Sequence, residues 1–219
     1  MEAFAGRILF VQVGEQGHHH PALRGVLDLR GRTDLRQLVR LVHHAQGVLC
    51  PVTLLMHLAA AVPVAMADGK SQMAKNRASV VVAGGREPSQ WEAYPHHQYL
   101  HTNGALRCCD QGGCWKARVV PLGDGDGKDA PENLCVDVVD LATGRRARGE
   151  DWGREHAALF ARDGEAATGF LPRCLEMISA EDVIRRIELY CEGGALRYLT
   201  EAERRASDPT RATSALRWA

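Results

Sequence analysis

Five cysteines in the second half of the chain are the residues best suited to chemistry: Cys108, Cys109, Cys114, Cys135 and Cys174. The first three lie in Cys108-Cys109-Asp110-Gln111-Gly112-Gly113-Cys114-Trp115. A thiolate pair bridged by a glycine-containing turn presents two sulfurs to one ion. Two further cysteines from remote loops can complete a tetrahedral set around a metal ion. Cys108 and Cys109 compete for one ligand position, and the residues do not separate them. The competing reading is that these thiols are small buried hydrophobes. Cys50 and Cys191 fit that description, one in a strand pattern and one in a helix pattern. The total of seven cysteines is odd and clustered, which favours metal or thiol chemistry in a reducing compartment over a disulfide framework.

A second group is Asp28, Thr53 and His57, and the elements around it explain why. Residues 28–63 read DLRGRTDLRQLVRLVHHAQGVLCPVTLLMHLAAAVP. A short apolar strand over 25–27 ends in Asp28. After a polar turn, Thr33 or Asp34 caps a helix with Leu35, Leu38, Val39, Leu41 and Val42 on one face. Gly47 stops that helix, and Val48-Leu49-Cys50 reads as a buried strand. Thr53 then opens a second helix with His57 in its first turn. Strand, helix, strand, helix with short links predicts an open parallel α/β sheet. Ligands of such sheets bind beyond the carboxyl ends of the strands, where Asp28, Thr53 and His57 fall.

A third candidate follows the strand Ala78-Ser79-Val80-Val81-Val82-Ala83, whose unbroken apolar run predicts burial on both faces. It leads into Gly84-Gly85-Arg86-Glu87-Pro88. Two glycines at a strand end let backbone N–H groups approach a ligand, and Arg86 is suited to phosphate. An ordinary glycine turn is the plain alternative.

The rest of the chain sets limits. The 219 residues suffice for one large or two small domains, and 45% apolar content suffices for a core. Lys plus Arg and Asp plus Glu both number 27, so no field argues for nucleic acid or an anionic membrane. No run has the length of a membrane span and no signal-peptide core begins the chain, which predicts a cytoplasmic protein. Residues 7–14 predict a buried strand, and His18-His19-His20 a solvated loop, with a metal site as the weaker reading. Residues 67–77 form a polar link, and Tyr99-Leu100 an edge strand. Trp91 and Tyr94 suit nucleobase stacking or packing. Asp124-Gly125-Asp126-Gly127-Lys128-Asp129 lacks the pattern of a calcium loop and reads as surface. Residues 142–169 read as an insertion or mobile loop, with a helix near 155–162. Ser179 and Asp182 form a capping box opening a helix that Gly193-Gly194 ends. Residues 196–219 read as a disordered tail.

The segment around Thr53 resembles the donor-binding half of the family 9 glycosyltransferases, the ADP-heptose heptosyltransferases of bacterial surface-glycan (lipopolysaccharide) synthesis. The family carries D-T-G-x-x-H-x-x-A-A where this chain has Val52-Thr53-Leu54-Leu55-Met56-His57-Leu58-Ala59-Ala60-Ala61. Thr53, His57 and the alanines match; Val52 and Leu54 replace the Asp and Gly. The Cys114-Trp115 element with its later cysteines resembles the autotransporter heptosyltransferase branch, in which four cysteines hold ferric iron structurally. The spacing here differs, so zinc or an empty site remains open beside iron.

The resemblance implies a Rossmann-like half of a GT-B glycosyltransferase over residues 7–195, with an irregular cysteine-rich insertion at 102–175. It implies that Asp28 holds the donor ribose, and that Thr53, His57, Gly84, Gly85 and Arg86 border the diphosphate. The implied donor is ADP-heptose or a similar nucleotide-sugar, and the acceptor a glycan or protein hydroxyl. The family's acceptor domain has no counterpart before residue 7. The general base is therefore expected in another domain or a separate chain, and this chain alone is expected to be poorly active or inactive. Two alternatives are a metal-stabilised binding or assembly module without catalysis, and an enzyme of the same architecture using UDP- or GDP-sugars.

Overall fold

The computed structural model describes residues 1–15, 22–65, 71–72, 77–121, 123–148 and 169–207. The chain divides into two compact units. One takes the described residues of Met1–Val48, Leu58–Ala78 and Ile184–Ala219; the other takes those of Leu49–His57 and Ser79–Val183.

In chain order the strands are β1 (Val11–Gln12), β2 (Leu27–Asp28), β3 (Gly47–Pro51), β4 (Val64–Ala65), β5 (Ser71–Gln72), β6 (Ala78–Gly84), β7 (His97–His101), β8 (Asp137–Asp140), β9 (Arg146–Arg148) and β10 (Phe170–Pro172). The α-helices are α1 (Leu35–His44), α2 (Leu54–Ala61), α3 (Ser89–Glu92), α4 (Arg173–Glu176), α5 (Ala180–Glu192) and α6 (Glu201–Ala206). The class is mixed α/β with parallel strand pairs.

In the first unit β1 and β2 pair in parallel, Val11 with Leu27 and Gln12 with Asp28. The strand expected over 7–14 is thus two residues long. Asp34 is the N-cap of α1: its carboxylate accepts from Gln37 N at 2.7 Å, and the Gln37 side chain accepts from Asp34 N at 2.9 Å. The helix ends at His44, and Ala45 is already extended, so Gly47 opens β3 instead of stopping α1. Gly47 is needed for another reason. A Cβ there would lie 3.1 Å from both the Ala78 carbonyl oxygen and Leu196. Phe4, Val42, Ala59 and Ile187 form the apolar core.

Arg77 ends the segment expected to be a polar link, yet it is 1% exposed. Its guanidinium donates to the carbonyls of Ala45, Val62 and Pro63, which lie past the ends of α1 and α2. Burial pushes it down to about 10. The Ser179–Asp182 capping box forms as expected, with N–H to oxygen distances of 2.9 and 3.1 Å. Gly194 ends the α5 segment at φ +73°, which favours glycine. The expected disordered tail is replaced over residues 201–206 by α6, whose Thr200–Glu203 capping box satisfies the first orphan N–H groups.

In the second unit the sheet order is β3-β6-β7, with β7 at an edge and parallel to β6. The sequence gives β6 no polar alternation, and it is buried at every position but one. The 102–175 segment is less irregular than expected: β8 lies between β10 and β9 in an antiparallel sheet. Asp137 on β8 takes a two-pronged bond from Arg146 on β9, at 2.6 and 2.5 Å. Val80, Val81, Val138 and Met56 are the buried apolar centre. The histidine run at 18–20 and the helix expected near 155–162 lie outside the described residues. Among the described residues no helix is long and apolar enough to cross a membrane.

Candidate metal centre and donor loop

The five cysteines named from the sequence all belong to the second unit, and the chain gathers them. Cys108 and Cys109 lie in a 3-10 turn, Arg107–Cys109, and Cys174 in α4, directly after β10. Cys114 and Cys135 lie in loops. Every pair among Cys108, Cys114, Cys135 and Cys174 is within electrostatic reach. Burial, then the neighbouring thiols, push Cys108 up to about 12. Burial pushes Cys135 up to about 11 against the Asp137 backbone N–H, which favours the thiolate. Cys174 is also raised by burial, opposed by backbone N–H groups of Gly85 and Leu175.

Cys109 differs. It is fully buried, and its Sγ donates to the carbonyls of Leu106 at 3.3 Å and Thr102 at 3.6 Å. Its sulfur is thus engaged with backbone carbonyls of its own turn and of Thr102. Cys108, with four cysteine neighbours, is the better donor of the adjacent pair. Cys135 Sγ also lies 3.3 Å from the Asp137 carbonyl, beside the N–H that it accepts from.

The set of four fits a zinc or iron ion in donor type and number. Among the described residues no group of three or more His, Cys, Asp or Glu side chains is already posed to hold an ion. The thiols are gathered but not converged. Protonated thiols have no mutual attraction, and ligation needs the thiolate.

The cysteines also bond to the glycine corner at the end of β6. Cys114 N–H donates to the Gly85 carbonyl at 3.1 Å, and Trp115 N–H to the Arg86 carbonyl at 3.2 Å. Gly85 N–H donates to Cys174. A Cβ on Gly84 would lie 2.9 Å from Leu175 and 3.2 Å from Cys174 Sγ. The pair Gly84-Gly85, expected to make room for a ligand, makes room for the cysteines. Gly113 has the same character: a Cβ would lie 2.6 Å from the Arg86 carbonyl oxygen. The Arg86 side chain is exposed and 3.7 Å from Glu87.

Trp115 follows Cys114 at φ +56°, a region costly for a bulky side chain. Its ring meets that of Trp91 at 5.5 Å, and both are exposed, at 52% and 69%.

Thr53 precedes α2, with its hydroxyl turned back to the Pro51 carbonyl at 3.4 Å. His57 in the first turn of α2 lies with Nδ1 2.9 Å from Tyr94 Oη and Nε2 3.9 Å from Glu92 Oε2. Glu92 and Tyr94 were invisible as partners of His57 from the sequence, because 37 residues separate Tyr94 from it. Asp28 lies in the first unit, gripped by Arg30 at 2.9 and 2.8 Å, and those bonds hold its carboxyl down to about 2. No family model, no curated protein and no solved structure matches this chain.

Proposed function

We propose that this chain is the donor-binding part of a glycosyltransferase using ADP-heptose or a similar nucleotide-sugar, with a structural iron or zinc ion on Cys108, Cys114, Cys135 and Cys174. The identity of the donor rests on the resemblance carried by Thr53, His57 and the alanines after it. The observation that carries the proposal is the bonding of the cysteine cluster to the 84–86 loop, from which Arg86 would meet the diphosphate. Cys114, Trp115 and Cys174 are each hydrogen-bonded to that loop. When bound, the ion supplies a cross-link between the 108–114 turn, the 135 loop and α4, and the loop inherits that rigidity. Exposed N–H groups at the start of α2 would receive part of the same diphosphate. The acceptor would be a glycan or protein hydroxyl, presented by another domain or chain.

Metal analysis and a nucleotide titration test this. About one iron or zinc per chain, with ADP preferred to UDP and GDP, supports the proposal. Preference for UDP or GDP moves the donor assignment within the same architecture. One observation favours a non-catalytic module: Leu54, where the resembling family has glycine, is exposed at the start of α2. A folded, metal-loaded chain that binds no nucleotide would select that reading.

A further inference from the structure

We infer that Tyr94, His57 and Glu92 form a proton relay with which this chain itself draws a proton from an attacking hydroxyl. The reaction served rests on the donor-binding proposal; the relay rests on geometry. This moves the general base, expected in another domain, into the present chain.

The order of the three groups fixes their roles. Glu92 Oε2 lies 3.9 Å from His57 Nε2. A neutral imidazole with its Nε2 lone pair turned to a carboxylate is repelled, so the proton belongs on Nε2. Nδ1 then carries the lone pair, and the Tyr94 hydroxyl, 2.9 Å away, donates to it. The phenol oxygen keeps its own lone pairs for a substrate hydroxyl. Carboxylate, imidazole and hydroxyl in this sequence is the logic by which a base activates an oxygen.

The surroundings agree. The His97 ring packs against Tyr94 at 5.1 Å. Burial, then His96 and His57, hold His97 down to about 4, so at neutral pH it adds no positive charge. Its Nδ1 and the Tyr99 hydroxyl are buried with no hydrogen-bond partner among the described residues. Of the groups around His57 — Glu92, Tyr94 and His97 — Glu92 is the anion that would stabilise an imidazolium.

The step balances as follows. The acceptor O–H bond breaks and its proton passes to Tyr94 Oη, while the proton of Tyr94 passes to His57 Nδ1. The acceptor oxygen forms a bond to the anomeric carbon of the sugar. The bond from that carbon to the diphosphate oxygen breaks, and its electron pair leaves with the nucleoside diphosphate. The imidazolium returns its proton to solvent or to the departing diphosphate. Tyr94 touches the acceptor, His57 takes the proton through it, and Glu92 is the positioning residue that orients His57.

Two measurements decide the matter. Long-range proton–nitrogen spectra of the histidine side chains should show His57 as the Nε2–H tautomer. Tyr94→Phe should shift Nδ1, and Glu92→Gln should erode the tautomer preference. In parallel, ADP release from an ADP-sugar is followed with a free sugar or water as acceptor. Tyr94→Phe should lower the rate by roughly 10²–10⁴-fold without weakening ADP binding, with Glu92→Gln losing less and Glu92→Asp partly restored. An Nδ1–H tautomer, equal rates in wild type and Tyr94→Phe, or no release from a wild-type chain that binds ADP would each overturn the relay. A chain that binds no nucleotide overturns the donor proposal instead, and the tautomer alone then decides the relay.

Discussion

Gly85 lies so close to Cys109 that a Cβ added to the glycine would stand 3.0 Å from the sulfur and 3.3 Å from the Cβ of Cys174. The two chains of atoms are in van der Waals contact because the glycine has no side chain. Gly85→Ala should therefore lower stability by about 1–3 kcal/mol, the usual cost of forcing a methyl into packed space. Gly84→Ala adds a left-handed backbone at φ +64° and should cost at least as much. Denaturant midpoints at unchanged slope check both.

The cysteines should separate by role. Elemental analysis should find metal lost from Cys114→Ser and Cys174→Ser and kept in Cys109→Ala. The latter should instead lose about 1–2 kcal/mol of stability, as expected for emptying a small buried site. Metal loss in Cys109→Ala with retention in Cys108→Ala would reverse the assignment within the adjacent pair.

Arg77→Met should unfold the first unit more easily by about 2–4 kcal/mol, because the carbonyls of Ala45, Val62 and Pro63 lose a buried donor. Methionine keeps most of the volume, so the loss reads the hydrogen bonds. Thermal unfolding followed by circular dichroism gives the difference.

Asp34→Ala should cost about 1 kcal/mol, the value of an N-cap, since it removes the acceptor for Gln37 N–H. Asp34→Ser should recover most of it.

Asp28 supplies a pH test. Its folded carboxyl lies at about 2, below the ordinary 3.8, chiefly through the side-chain bond from Arg30. A depressed acid stabilises the fold above its unfolded value and loses that contribution as pH falls from about 4 through 2. A carboxyl titration by NMR should show a midpoint near 2, and Arg30→Met should return it toward the ordinary value.

Features set by local chemistry were legible in the sequence. The caps at Asp34 and Ser179 need only a carboxylate or amide three residues on, and β6 needs only an apolar run. The gathering of the five cysteines was legible from their type and number. That Cys109 differs from the other four was not, because the distinction lies in the carbonyls of Thr102 and Leu106 that face it. The glycine pair was read for backbone freedom toward a ligand, whereas its neighbours are Cys174, Leu175 and Cys109. Arg77 and the partners of His57 depend on contacts distant in sequence, which periodicity does not encode. Helix α6 carries the Thr200–Glu203 signature but is short and polar, so no apolar face announced it.

Arg118 is ringed by Asp124, Asp126 and Asp129; the first two lie 2.7 Å from its guanidinium. An acidic loop that elsewhere would need a dissolved cation thus carries its own, covalently attached. The charge of residues 124–129 is accordingly met from within the chain, by a cation only a few residues away in sequence.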